Sequence, residues 1–258
     1  MFPTLFVSHG SPTVLTGDSP LRDFLRGLGA AVGKPRAILI VSAHWETASP
    51  MLTAAGVNTT IHDFGGFPAP LYQLQYPAPG SPALAEKAAD LLRAAGLQAQ
   101  TDARRGLDHG AWVPLMLAYP EANIPVVQLS VQPHLGPAHH LAVGRALAPL
   151  RADEVLIVGS GSFNHNLQEF FRNQASGPEP EWVTAFADWF GLALAETRLD
   201  DLTRYRELAP FAARNHPEDE HLLPLYAALG AAGEGARAQR IHKSSAGTAL
   251  RLDAFSFA

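Results

Sequence analysis

Three histidines follow runs of aliphatic residues. His9 comes after Leu5-Phe6-Val7-Ser8, His44 after Ile38-Leu39-Ile40-Val41-Ser42-Ala43, and His165 after Val155-Leu156-Ile157-Val158 and a glycine-serine turn, Gly159-Ser160-Gly161-Ser162. Continuous aliphatic runs read as strands buried on both faces, the kind found at the centre of a parallel sheet. In open α/β sheets ligands bind in the crevice outside the carboxyl ends of the strands, so a histidine there is placed for chemistry. A single such histidine is as easily a packed core residue. The repeat at three strand ends shifts the balance. Neutral imidazoles on adjacent strand ends converge and can hold a metal ion while leaving positions open on the solvent side. The chain has no cysteine, so any metal site is built from nitrogen and oxygen. His9, His44 and His221 form the best ligand set. His221 enters by another route: Pro217 to Leu225 reads as the acidic first turn of a helix running to Leu229, from which His221, beside Glu218 and Glu220, reaches over the sheet edge. His134, His139, His140, His216 and His242 lack such a setting and read as surface residues.

Competing chemistries fit less well. Gly159-Ser160-Gly161 begins like a dinucleotide fingerprint, but Asn164 stands where the third glycine belongs, and no acidic residue follows at a convincing strand end. The order Gly-x-Ser-x-Gly is absent there, so the turn is not a nucleophile elbow either. With 47% hydrophobic and 17% charged residues the composition is globular, and a net charge of -5 gives no footprint for nucleic acid or for a membrane surface. The partner is expected to be a small molecule. Met1-Phe2-Pro3-Thr4 lacks a positive leader region, and its apolar run is too short for a signal or a span, so a cytoplasmic location is expected.

The elements that must position these histidines alternate. Strands are predicted at Thr4–Val7, Ala37–Ser42 (beside the first), Leu97–Thr101, Pro125–Ser130 and Glu154–Ser160, with a final strand within Gly247–Phe257 at a sheet edge. Helices are predicted at Leu21–Leu28, Ala83–Ala95 with Ser81 as cap, Asp108–Tyr119, Pro137–Leu150 and Glu179–Thr197, the last with a packing face of Trp182, Phe186, Trp189 and Phe190. Thr59 to Pro70, rich in glycine, proline and aromatics, reads as a shaped loop walling a pocket. The 258 residues are expected to form one catalytic domain, an α/β fold with a mostly parallel central sheet flanked by helices and the metal site at the carboxyl ends of its strands.

Several segments taken together carry a resemblance: Ser8-His9-Gly10-Ser11-Pro12, Ser42-Ala43-His44-Trp45, Ile61-His62-Asp63-Phe64-Gly65-Gly66-Phe67-Pro68, Tyr76-Pro77-Ala78-Pro79-Gly80, Asp108-His109-Gly110, Gln128-Leu129-Ser130, His165-Asn166-Leu167 and Glu220-His221-Leu222-Leu223-Pro224-Leu225. Nearly the whole chain, in this order, resembles the LigB-type class III extradiol ring-cleavage dioxygenases, in their DOPA dioxygenase branch. The resemblance implies a non-haem Fe(II) enzyme that inserts dioxygen into a catechol next to its hydroxyls. It implies His9, His44 and His221 as metal ligands, His165 at the metal as ligand or as acid/base, and His109 as a catalytic residue beside the metal or in the substrate pocket. The broader superfamily pairs two histidines with a glutamate, so Glu220 competes with His221 for the third place. An all-histidine set would also hold Zn(II).

The chemistry needs a neutral imidazole that removes a phenolic proton and later returns one, and histidine titrates in the right range. Trp45, His62, Phe64 and Phe67 are the candidate walls for an aryl ring. Arg104, Arg105 and Lys243 are candidate readers of a substrate carboxylate. Two other classes use the same histidines: a zinc-dependent hydrolase, and a class II chelatase-like metal-handling protein.

Overall fold

Ile38 to Val41 explains the layering. Ile38 and Ile40 join Leu5, Val7, Leu156 and Val158 on one face, whereas Leu39 and Val41 join Phe6, Val155 and Ile157 on the other. Successive side chains of a strand point to opposite faces, so strands apolar at every position need cover on both sides. The computed structural model describes residues 1–172 and 177–258. Its strands are β1 (Thr4–Ser8), β2 (Ala37–Glu46), β3 (Met51–Thr53), β4 (Gln100–Asp102), β5 (Val126–Val131), β6 (Val155–Gly161), β7 (Ala238–His242), β8 (Ser245–Ala246), β9 (Leu250–Arg251) and β10 (Ala254–Phe257). Its α-helices are α1 (Pro20–Val32), α2 (Pro82–Ala94), α3 (His109–Ala118), α4 (Gly136–Leu147), α5 (Leu167–Arg172), α6 (Glu181–Ala195), α7 (Leu199–Thr203), α8 (Tyr205–Leu208), α9 (Ala212–Asn215) and α10 (Leu223–Ala232).

The main sheet runs β4-β3-β5-β2-β6-β1-β10-β7. Its centre, β5-β2-β6-β1, is parallel throughout, and β10 joins β1 antiparallel. Helices α1 and α3 cover one face through Leu21, Leu25, Ala111 and Trp112. Helices α2, α4, α6 and α10 cover the other, with Phe186 and Phe190 of the predicted packing face fully buried there. Helix α10 is buried along its whole length, as a helix apolar all round must be. Ser81 caps its helix as the sequence suggests, and Asp108 caps its own, accepting from Leu84 N and Ala111 N.

Four expectations need correction. Strand β2 does not lie beside β1, because β6 sits between them, paired in parallel to each. Neighbours in sequence pair only as a tendency, and the crossover through α1 leaves a gap that a later strand fills. The C-terminal strand is not at an edge, since β10 pairs with both β1 and the unforeseen β7. The helix at 217–229 starts only at Leu223, so His221 lies in the turn before it, over the middle of the sheet. His140 and His216 are core residues, 1% and 0% exposed: backbone Gln132 N and Gly136 O engage both ring nitrogens of His140, and Phe163 O engages Nε2 of His216.

Candidate metal centre

His9 is the first residue after β1, tied to the end of β6 by its N–H to Gly161 O. Its Nδ1 lies 3.2 Å from Ser160 Oγ. The single Ser160 hydroxyl proton is donated to Gly110 O, so Ser160 accepts from His9 Nδ1–H. That fixes the tautomer and leaves the Nε2 lone pair free. His44, on β2, comes from the other side of β6 and places its Nε2 3.0 Å from His9 Nε2. Strand β6 between β1 and β2 is therefore what brings these two rings to one point.

The third ring arrives from the turn before α10. Ser162 N donates to His221 O, and a Cβ on Gly161 would lie 2.0 Å from that same oxygen. Gly159-Ser160-Gly161, which resembled a cofactor fingerprint, is the end of β6 and a seat for the backbone of His221. Glu220 Oε1 accepts from His221 Nδ1 at 2.6 Å, which again leaves Nε2 free. One ligand nitrogen from each of His9, His44 and His221 lies within 4.8 Å of the others, whereas Glu220 groups with His221 and His165 instead.

Two more imidazoles border this trio. His165 stacks on His221 with ring centroids 3.5 Å apart and planes 15° apart, and its Nδ1 lies 3.7 Å from Glu220 Oε1. His109 opens α3 with its ring 3.8 Å from that of His44. Gly110 makes this approach possible, because a Cβ there would meet Ser42 Oγ at 2.5 Å and His44 Cδ2 at 2.9 Å. Buried Asp108 accepts from Ser42 Oγ, Gln128 Nε2 and Arg105, which pins the start of α3 to β2 and β5.

Burial keeps His9, His44, His165 and His221 neutral. It pushes His9 and His221 well below the ordinary histidine range, with the neighbouring imidazoles adding to the effect. Burial and then His109 lower His44 to about 3, against a raising pull from Asp63, and burial and His109 lower His165 to about 4. Glu220 is raised to about 7 by burial and by Glu218, Glu46 and Asp219. Unprotonated nitrogens with lone pairs turned toward one another, two of them tautomer-locked by a neighbour, fit a divalent transition-metal ion.

The aromatic loop 59–70 stands against this cluster. The Phe64 ring meets His109 edge-on at 5.7 Å, and Phe67 packs on Phe64 one ring farther out. His62 is 5.8 Å from Phe64 and anchors the loop through Nε2 to Leu74 O. Trp45 is buried, with the Arg105 guanidinium 4.5 Å over its ring. Arg105 is engaged by Asp108, while Arg104 and Lys243 are exposed.

The sequence pattern of the family described as the catalytic LigB subunit of aromatic ring-opening dioxygenase matches residues 3–250. The chain belongs to this family. Its relatives include the 4,5-DOPA dioxygenase extradiol of Beta vulgaris, 46% identical over 98% of this chain and 96% of that one. The 4,5-DOPA dioxygenase extradiol of Escherichia coli K12 is 40% identical over 89% and 84% of the two chains. Dioxygenase tasH of Hapsidospora irregularis is 39% identical over 90% and 78%. A crystal structure of an uncharacterized Escherichia coli K12 protein superposes over the full length of both chains, with TM-score 0.82 and 32% identity. The LigB-family chain is thus an extradiol aromatic ring-opening dioxygenase, and no helix among its described residues is long and apolar enough to cross a membrane.

Three residues near the centre escaped the sequence reading. Ser160 stood in a motif tested for other chemistries, Asp63 followed a histidine in a loop, and Asp108 read only as the first residue of a helix. Each acts through a partner far away in sequence, a relation that local pattern does not encode.

Proposed function

We propose that this protein, acting as one catalytic unit over residues 1–258, is a non-haem Fe(II) extradiol dioxygenase that opens a DOPA-like catechol with dioxygen. The observation that carries the reading is the set of inward-facing nitrogens on His9, His44 and His221, flanked by two further imidazoles. These three residues would hold the iron, which when bound supplies the one-electron chemistry that lets dioxygen react with an aromatic ring.

The remaining steps belong to the chain. His165 is unprotonated at neutral pH and can take a phenolic proton at Nε2, its Nδ1 being turned toward Glu220, and return a proton after ring opening. His109, on the opposite side of His44, is the second acid/base candidate. His165 is assigned this role and not that of a standing fourth ligand, because extradiol chemistry needs room for both catechol oxygens and for dioxygen. Phe64 and Phe67 offer ring edges and faces to an aryl group, with His62 holding their loop and Trp45 beyond it. Zinc fits the same nitrogens, so the metal that co-purifies does not identify the working one.

The test is anaerobic reconstitution with Fe(II) followed by a catechol panel that includes DOPA, read by dioxygen uptake and by the yellow semialdehyde product. Uptake matched to product supports the reading. An iron-loaded protein that consumes no dioxygen with any catechol defeats it.

A further inference from the structure

Asp63 contacts His109 and faces His44 at the centre. From the aromatic loop, its Oδ1 accepts the backbone N–H of His109 at 2.8 Å. Its Oδ2 lies 3.0 Å from His109 Nδ1 and 4.0 Å from His44 Nδ1. The next residue, Phe64, meets the His109 ring edge-on. One carboxylate therefore ties together a pocket-wall loop, the first turn of a helix, a candidate metal ligand and a candidate acid/base. Glu220 does the equivalent on the far side, between His221 and His165.

We propose that Asp63 is a positioning residue that orients His109 by drawing its Nδ1 toward itself, and biases His44 across a longer gap, so that each ring turns Nε2 inward and the aromatic loop is registered on the same pair. This rests on the dioxygenase reading for its kinetic consequence but not for its structural one. A carboxylate facing Nδ1 favours the tautomer with the proton on that atom, which leaves Nε2 as the lone-pair nitrogen. An amide in its place can still accept the His109 backbone N–H through its oxygen. Its NH2 then faces Nδ1 and favours the opposite tautomer.

Asp63→Asn separates the two roles, and Asp63→Ala removes both. The histidine tautomers are read by nitrogen NMR on full-length protein loaded with Zn(II), which needs no turnover. The iron-loaded enzyme is assayed in parallel. In Asp63→Asn we expect a melting temperature close to that of the parent, the His109 Nε2–H form in place of Nδ1–H, Zn(II) affinity down roughly 10-fold, and kcat down roughly 10- to 100-fold with KM little changed. Asp63→Ala should also lower the melting temperature. Parent-like tautomers and metal affinity in Asp63→Asn would reduce Asp63 to an anchor for the loop and overturn the proposal. If the parent itself opens no catechol, the dioxygenase reading fails while the tautomer and affinity measurements still decide the role of Asp63.

Discussion

Single imidazoles at this centre differ in what their loss should do. His9→Ala and His44→Ala each remove one of the three proposed ligand nitrogens, and metal content by elemental analysis should fall to a small fraction of the parent's. Full occupancy in both variants would mean that the ion sits elsewhere. His165→Gln should behave differently, because its ring stacks on His221 and is not one of the three converging nitrogens. The metal should stay while kcat drops roughly 10²- to 10⁴-fold, the usual contribution of a positioned acid/base. Metal lost in step with activity would instead make His165 a ligand.

Among the elements, the junction of β6 with the turn before α10 decides whether the third ligand is in place. Gly161→Ala puts a methyl group against His221 O, where the backbone has no room to yield cheaply. Overpacking of this kind costs roughly 1–3 kcal/mol, and urea unfolding should show that loss together with weaker metal binding. A variant with parent stability and metal content would show that the contact relaxes freely. The aromatic loop makes the opposite case. Phe67 lies one ring out from His109, so Phe67→Ala should raise KM for catechols several-fold without altering metal content. Identical kinetics across the catechol panel would leave the loop a structural role only.

Across the whole molecule, acid stability follows from the buried histidines. His140 is lowered to about 3 by burial, and its Nε2 accepts from Gln132 N, so a proton there would also break a core hydrogen bond. His216 is likewise lowered to about 3 by burial. Their folded pKa values lie below the unfolded value near 6.5, so between about pH 6.5 and 3 the unfolded chain binds more protons. The stability that these neutral rings contribute is therefore present above about pH 6.5 and declines as the pH falls, by about 1.4 kcal/mol per pH unit for each group. In urea titrations from pH 7.5 to 5, His140→Gln should show a slope below pH 6.5 shallower than the parent's by about that amount per unit. Equal slopes would mean that His140 is not neutral and buried in solution.

Much of the scaffold was legible before the structure. The aliphatic runs of β1, β2 and β6 name themselves, because a strand covered on both faces has few polar positions to interrupt it, and Ser81 and Asp108 mark helix starts through a local hydrogen bond. His9 and His44 were recognisable for the same reason, being the first titratable groups beyond such runs. Pairing order was not legible, since β6 reaches its place between β1 and β2 only after more than a hundred intervening residues have folded around it. Nor was the burial of His140 and His216, whose rings depend on backbone partners that only tertiary folding brings near. The tautomer of His9 was hidden in the same way: it depends on where the one proton of Ser160 goes, and that is settled by the position of Gly110 O on a helix from another part of the chain.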